Sequence, residues 1–209
     1  MPKAWIQDRK RDYYYQKAKQ EKYRSRGSYK LSQAIEKYHF LKYGDVVIDL
    51  GAAPGGWVQI AKRIVGNKGF VLGVDLRPFE PFPQSYVRTV IGDITDEVTV
   101  QQILQLIPRK ANAVISDVSP NISGVWEVDH ARQIDLAEQA LRIALQTLEV
   151  GGNFFAKVFQ GDLLDGFVKK VQEYFETVMV IKPKASRAQS SEMFVLGMRL
   201  MQGASRGQS

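Results

Sequence analysis

The sequence predicts an α/β fold, a mostly parallel sheet covered by helices on both faces, and two observations carry that prediction. Short apolar runs rich in β-branched residues alternate with stretches of helical periodicity along most of the 209 residues, the pattern of strands buried on both sides. The strand-like runs also reach, one after another, an ionisable residue at the same end, where ligands bind in such sheets.

In order, the apolar positions Tyr29, Leu31, Ala34, Ile35 and Tyr38, with His39, fall at helical spacing behind Ser28 as the expected N-cap. VVIDL (46–50) reads as the first strand, with a helix near 56–65 behind it. FVLGVDL (70–76) is the second strand and leads into the proline-rich loop RPFEPFPQS. YVRTVIGD (86–93) is followed by a helix near 97–107, and AVISDV (113–118) by a long helix near 130–148. NFFAKVF (153–159) precedes a helix near 163–176, and TVMVIKP and EMFVLGMRL supply the last two strands. The tail 203–209, GASRGQS, is expected to be disordered.

With 44% hydrophobic and 24% charged residues the chain suits one globular domain and a modest appendage. No apolar stretch approaches the roughly 20 residues of a membrane span. The start MPKAWIQDRKRD has no signal-type apolar region, so a cytoplasmic protein with no membrane partner is expected. Cysteine is absent, which excludes disulfides, thiolate metal sites and a cysteine nucleophile. His39 and His130 are the only histidines, too few for a histidine zinc site, and read as packing or helix-surface residues; no metal is expected.

The net charge of +7 is localised: residues 1–30 hold ten Lys/Arg against three Asp/Glu, whereas residues 31–209 hold nineteen of each. The same N-terminal stretch carries Trp5, Tyr13, Tyr14, Tyr15, Tyr23 and Tyr29. Cations interleaved with stacking surfaces suit single-stranded or looped RNA, so residues 1–27 read as a basic, aromatic-rich RNA-binding arm before a domain spanning 28–202.

The ionisable residues at the strand ends are Asp49 (with Gly51), Asp75, Asp93, Asp117 and Lys157. Lys157 stands out because FFAKVF otherwise reads as an interior strand, and an unpaired buried ammonium costs several kcal/mol. Such a residue needs a partner, a cleft or a lowered pKa. Solubility alone would not select one sheet edge five times.

The first strand runs into GAAPGGW (51–57), a glycine turn that lets backbone approach a ligand at a helix N-terminus. A phosphate-binding loop would need Lys and Ser/Thr where Trp57 and Val58 stand. A dinucleotide fingerprint would need glycine at Ala53. What remains is a cofactor with ribose and adenine but no phosphate. Asp75, 24 residues after Gly51, stands where a carboxylate meets ribose hydroxyls, and Asp93 suits the adenine amino group. S-adenosylmethionine fits that description.

VIDLGAAPGGW, ISDVSPNISG, AKVFQG and SRAQSSE, with RSRGSYKL near the start, resemble the FtsJ-like 2′-O-ribose RNA methyltransferases over about residues 24–200. The resemblance implies a Rossmann-like, seven-stranded methyltransferase sheet with a final antiparallel strand. It also implies a catalytic tetrad of Lys30, Asp117, Lys157 and Glu192, and cofactor contacts at Gly55, Trp57, Asp75, Asp93 and Asp117. Gly27 and Ser119 replace alanines common among such relatives. In this reading Lys157 accepts or steers the proton of a ribose 2′-hydroxyl, its pKa lowered by desolvation and by Lys30, while Asp117 and Glu192 orient the reacting groups.

The substrate expected from the resemblance is a uridine of large-subunit (23S) ribosomal RNA, on folded RNA or a ribosomal subunit, with the enzyme a monomer. A tRNA anticodon-loop methyltransferase shares the tetrad and is the alternative. A non-enzymatic RNA-binding module would need the arm and not the tetrad. SDVSP disfavours the amino-methylating enzymes, which carry [ND]-P-P-[YF], and the absent cysteine disfavours carbon-5 pyrimidine enzymes.

Overall fold

A computed structural model of the chain describes residues 12–187 and 189–203. The expectations for residues 1–11 and for the tail from 204 onward lie outside the described residues. Two helices, α1 (Tyr13–Gln20) and α2 (Ser28–Tyr38), precede the first strand. Then come β1 (Val46–Leu50), α3 (Gly56–Val65), β2 (Phe70–Asp75), β3 (Val87–Ile91), α4 (Glu97–Leu106) and β4 (Ala111–Ser116). The chain continues through α5 (Trp126–Thr147), β5 (Leu148–Phe159), α6 (Leu164–Gln172), β6 (Phe175–Ile181) and β7 (Glu192–Leu200).

The strands form one seven-stranded sheet in the order β3-β2-β1-β4-β5-β7-β6. The pairs β3–β2, β2–β1, β1–β4 and β4–β5 are parallel, and β7 enters antiparallel between β5 and β6. The strand order reverses between β1 and β4, the switch point at whose carboxyl ends sheets of this kind bind ligands.

Two clusters fill the two faces. Ile48, Leu50, Val114, Phe154, Ala156 and Val158 pack beneath Ile134, Ala137, Leu141 and Ala144 of α5. Val47, Ala113, Ile115, Phe155 and Phe194 pack beneath α2 and α3 through Leu31, Ile35, Val58, Ile60 and Ala61. This alternation along β1 and β5 is the period of two that a sheet covered on both faces requires. Phe155 stacks on Phe194 at 4.9 Å and on Trp57 at 5.6 Å, so the floor under the site is aromatic.

Three expected boundaries shift. The long helix α5 starts at Trp126, not near 130, and β5 begins at Leu148, well ahead of the apolar run that announces it. Ser28 does not cap α2: Gly27 holds the cap position and the Ser28 hydroxyl donates to the Gly56 carbonyl at 3.1 Å, tying α2 to the glycine turn. A buried serine hydroxyl needs a partner, and this bond supplies one.

Residues 12–27 pack on the rest of the chain. Arg26 and Arg187 both meet Asp12, the Tyr14 hydroxyl accepts from Gln33, and Tyr29 donates to Glu21. Burial together with the bond to Glu21 pushes the Tyr29 hydroxyl far above its ordinary range. Among the described residues no helix is long and apolar enough to cross a membrane, and no cluster of metal-ligating side chains occurs.

Candidate active site

The site lies at the carboxyl ends of β1, β4 and β5, and each side chain arrives there for a local reason. Asp117 directly follows β4 and its N–H donates to the Leu50 carbonyl at 3.0 Å, which extends the β1–β4 ladder by one residue. Lys157 pairs with Phe194 across the antiparallel β5–β7 ladder, and Phe159 pairs with Glu192. Lys157, Phe159, Phe194 and Glu192 therefore share one face of the sheet. Lys30 comes from α2, which covers that face.

The four residues of the expected tetrad come together as two contacts between opposite charges. Lys30 Nζ donates to Glu192 Oε2 at 2.7 Å, and Ser186 Oγ donates to Glu192 Oε1 at 3.0 Å. Lys157 Nζ donates to the Asp117 main-chain carbonyl at 2.8 Å and lies 3.1 Å from Asp117 Oδ1. That second distance makes an ion pair, but the direction is poor and Oδ1 is left without a hydrogen bond. Lys157 is buried, as its apolar surroundings predicted, and the desolvation is offset by the carbonyl and the carboxylate.

The cofactor side is built around the glycine turn. Gly51 (φ 77°) and Gly55 (φ 105°) lie in the left-handed region, open to glycine and costly for most other residues. A Cβ on Gly51 would fall 2.8 Å from the Val118 backbone nitrogen, so the first turn packs directly against the loop after β4. Arg24, within RSRGSYKL, fastens the far side. It donates to the carbonyls of Pro54, Glu80 and Pro81, and its guanidinium carbon lies 4.0 Å from the Phe82 ring centroid. The proline-rich loop is thereby held beside the turn.

The expected cofactor contacts fare differently from one another. Asp75 accepts from the Ala53 N–H and the Arg77 N–H, each at 2.9 Å, and both oxygens retain lone pairs for ribose hydroxyls. Asp93 uses Oδ1 to accept from the Thr95 N–H and hydroxyl, which leaves Oδ2 for a ligand. The Trp57 indole is 3% exposed, stacks in the core and donates to the Gly27 carbonyl at 2.9 Å. Its contribution to a ligand is confined to its backbone N–H, one of the unpaired donors in the first turn of α3. A Cβ on Gly27 would lie 3.3 Å from Ser25 Oγ and 3.6 Å from Asp117 Oδ2, so alanine there needs only a small shift.

Asp49 is the feature that sequence reasoning placed and did not interpret. It is fully buried in β1 and neither oxygen has a hydrogen bond of normal geometry, although the Val58 N–H at the start of α3 faces it. Burial, followed by repulsion from Asp117 and Asp75, pushes its carboxyl well above the usual carboxylate range. Three acidic groups thus share one region at the switch point. S-adenosylmethionine, with a positive sulfonium and a positive ammonium, suits that excess of negative potential, and the free N–H groups of α3 suit its carboxylate.

Asp75→Ala should lower S-adenosylmethionine affinity by about 1–3 kcal/mol, the usual cost of leaving hydrogen-bonding groups unpaired. Calorimetric titration of the two proteins measures it. Unchanged affinity would remove Asp75 from the cofactor site.

Fold and site together define an S-adenosylmethionine-dependent methyltransferase of Rossmann-like architecture: a parallel sheet with one antiparallel strand before its edge, and a glycine turn that lacks a phosphate clamp. The chain belongs to the FtsJ-like methyltransferase family, whose profile matches residues 23–200. It is 52% identical over 200 residues to a protein of Methanocaldococcus jannaschii named ribosomal RNA large subunit methyltransferase E, covering 94% of this chain and 82% of that one. A protein of the same name from Methanococcus maripaludis is 50% identical over 197 residues, covering 94% and 76%. Among solved structures, a Plasmodium falciparum protein with the provisional name ribosomal RNA methyltransferase superposes with a TM-score of 0.73 at 25% identity, over 86% of this chain and 99% of that one. Methanococcus jannaschii fibrillarin, at 14% identity and a TM-score of 0.59, shares the fold.

Proposed function

We propose that the chain methylates the 2′-hydroxyl of a uridine ribose in large-subunit ribosomal RNA, with Lys30, Asp117, Lys157 and Glu192 as its catalytic residues. The observation that carries this reading is the tetrad geometry: Lys157 beside Asp117 and Lys30 beside Glu192, on one sheet face next to the glycine turn. The names of the relatives at 52% and 50% identity support the choice of RNA.

Bound S-adenosylmethionine supplies an electrophilic methyl on a positively charged sulfur. The protein's task is to bring a ribose oxygen into line with it, and alignment of this kind is worth about 7–11 kcal/mol in favourable cases. Lys157 and Asp117 would meet the 2′-hydroxyl from the β4–β5 side and take up its proton while the ribose oxygen displaces the methyl group, the carbon–sulfur bond breaking as the carbon–oxygen bond forms and neutral S-adenosylhomocysteine leaving. Lys30 and Glu192 hold the ribose from the α2 and β7 side. The aromatic floor of Trp57, Phe155 and Phe194 excludes water beneath the reacting atoms.

Residues 1–27 serve as the RNA-binding arm, since the whole charge excess lies in residues 1–30 and contacts to phosphate dominate RNA affinity. The enzyme acts in the cytoplasm as a monomer. The test is to incubate the full chain and methyl-labelled cofactor separately with unmodified large ribosomal subunits and with unmodified tRNA, then map the label by nuclease digestion. Label on a ribose of the large-subunit RNA is the expected result. Label in tRNA alone overturns the ribosomal substrate, and label on a base overturns the 2′-O chemistry as well.

A further inference from the structure

The first turn of α5 does more than begin a helix. The Asp129 carboxylate accepts from the Ser123 N–H and hydroxyl, both at 2.7 Å, and from the Gly124 N–H at 3.0 Å. These bonds hold its carboxyl below the usual range and fix the loop after β4. One turn on, His130 Nε2 accepts from the Leu163 N–H at 3.1 Å, and Gln133 Nε2 donates to the carbonyls of Val118 (3.2 Å) and Lys157 (3.0 Å). A Cβ on Gly161 would fall 2.7 Å from His130 Nε2, so the turn after β5 lies flat against the imidazole. The loops after β4 and β5 are both clamped to one helix end.

What the clamp presents is apolar and uncovered. Ile122 is 64% exposed, Val125 53%, Leu163 48% and Trp126 44%. Trp126 is itself locked, stacked on His130 at 5.7 Å and 11° and on Phe159 at 6.0 Å and 25°. Exposed apolar patches of this kind mark binding surfaces. The patch also borders the tetrad. Phe159 pairs directly with Glu192 and stands two residues beyond Lys157 on the same face.

We propose that Trp126, supported by Ile122 and Val125, is a stacking platform for an unpaired base of the RNA, the base of the methylated nucleotide or of its immediate neighbour. The inference rests on the reading that the substrate is RNA. A ribose seated between Lys30 and Lys157 carries its base and flanking nucleotides out over the rim of the site, and Trp126 is the exposed aromatic that continues from that rim. Every base has a π-face that such a ring accepts, and a ring already immobilised loses little entropy on binding.

Two measurements on the full chain test it. In the first, rRNA bearing 4-thiouridine is cross-linked to the protein by irradiation and the adducts are mapped by mass spectrometry. Adducts at residues 122–126 are expected, and adducts confined to other segments overturn the proposal. In the second, single-turnover transfer is followed against RNA concentration for the native protein, W126A and W126F. W126A should raise the half-saturating RNA concentration by about 5- to 150-fold, the range of one lost base stack. The larger effect should fall on half-saturation and not on the saturated rate, with cofactor affinity held and W126F recovering most of the loss.

Half-saturation within twofold of native in W126A overturns the platform. So does a native self-association, seen by sedimentation, that W126A abolishes, because the patch would then seat a second copy. If the native chain methylates no RNA, the function proposed above fails, while the cross-link still decides the platform.

Discussion

Lys157→Ala is expected to slow methyl transfer by about 10²- to 10⁴-fold, the range for loss of a positioned proton-transfer group, while S-adenosylmethionine affinity is held. The rate falls because the Lys157 ammonium nitrogen lies 2.8 Å from the Asp117 carbonyl and 3.1 Å from its carboxylate, where an incoming hydroxyl must be oriented and relieved of its proton. Cofactor binding survives because Arg24, Asp75 and the glycine turn do not depend on Lys157. Single-turnover transfer at saturating RNA, paired with calorimetric cofactor titration, separates the two effects. Turnover near the native rate would sink the assignment of Lys157.

Lys157→Arg divides the role further. Arginine keeps a positive charge and cannot take up a proton near neutral pH. A K157R rate close to that of K157A, in a protein that still melts cooperatively, identifies proton uptake at this position as the larger contribution. A rate close to native identifies charge and positioning as the larger one.

The order of elements was legible because both faces of the sheet are buried, so the strands stand out as apolar runs that only a few polar residues interrupt. Those interruptions, Asp49 and Lys157, pointed to the site. The pairing that assembles it was not legible. Lys30 and Glu192 stand 162 positions apart and meet only because β7 enters antiparallel between β5 and β6, which sets Glu192 opposite Phe159. The sequence places the start of α5 too late because VWEVDH lacks a helix-initiating cap of the usual kind: the Asp129 carboxylate bonds Ser123 and Gly124 outside the helix. The motif around Trp57 does not reveal that its indole is committed to Gly27 and the aromatic core. Long-range partners decide such side chains, and a local pattern carries no record of them.

Asp49→Asn is expected to stabilise the cofactor-free protein near neutral pH and to weaken S-adenosylmethionine binding, opposite signs from one substitution. The carboxyl is fully buried without a proper hydrogen bond, and its pKa is raised by burial, then by Asp117 and Asp75. The native state therefore holds the proton more tightly than the unfolded chain. Stability from this group is complete below the unfolded value near 3.9. It is lost as pH climbs from there through the raised native value, because the unfolded chain ionises first. Asparagine has no charge to desolvate, so the variant should lack this component of the pH dependence, and denaturant unfolding of both proteins at several pH values reads the difference. At neutral pH a gain of at least about 1 kcal/mol, about 2–4 °C in melting temperature for a chain of this size, is expected. Cofactor affinity should fall because a bound sulfonium and ammonium favour the ionised form of this carboxyl, an interaction that asparagine cannot make. A variant less stable than native at every pH, with unchanged cofactor affinity, would show that Asp49 is a satisfied core residue and that the acidic cluster plays no part in holding the methyl donor.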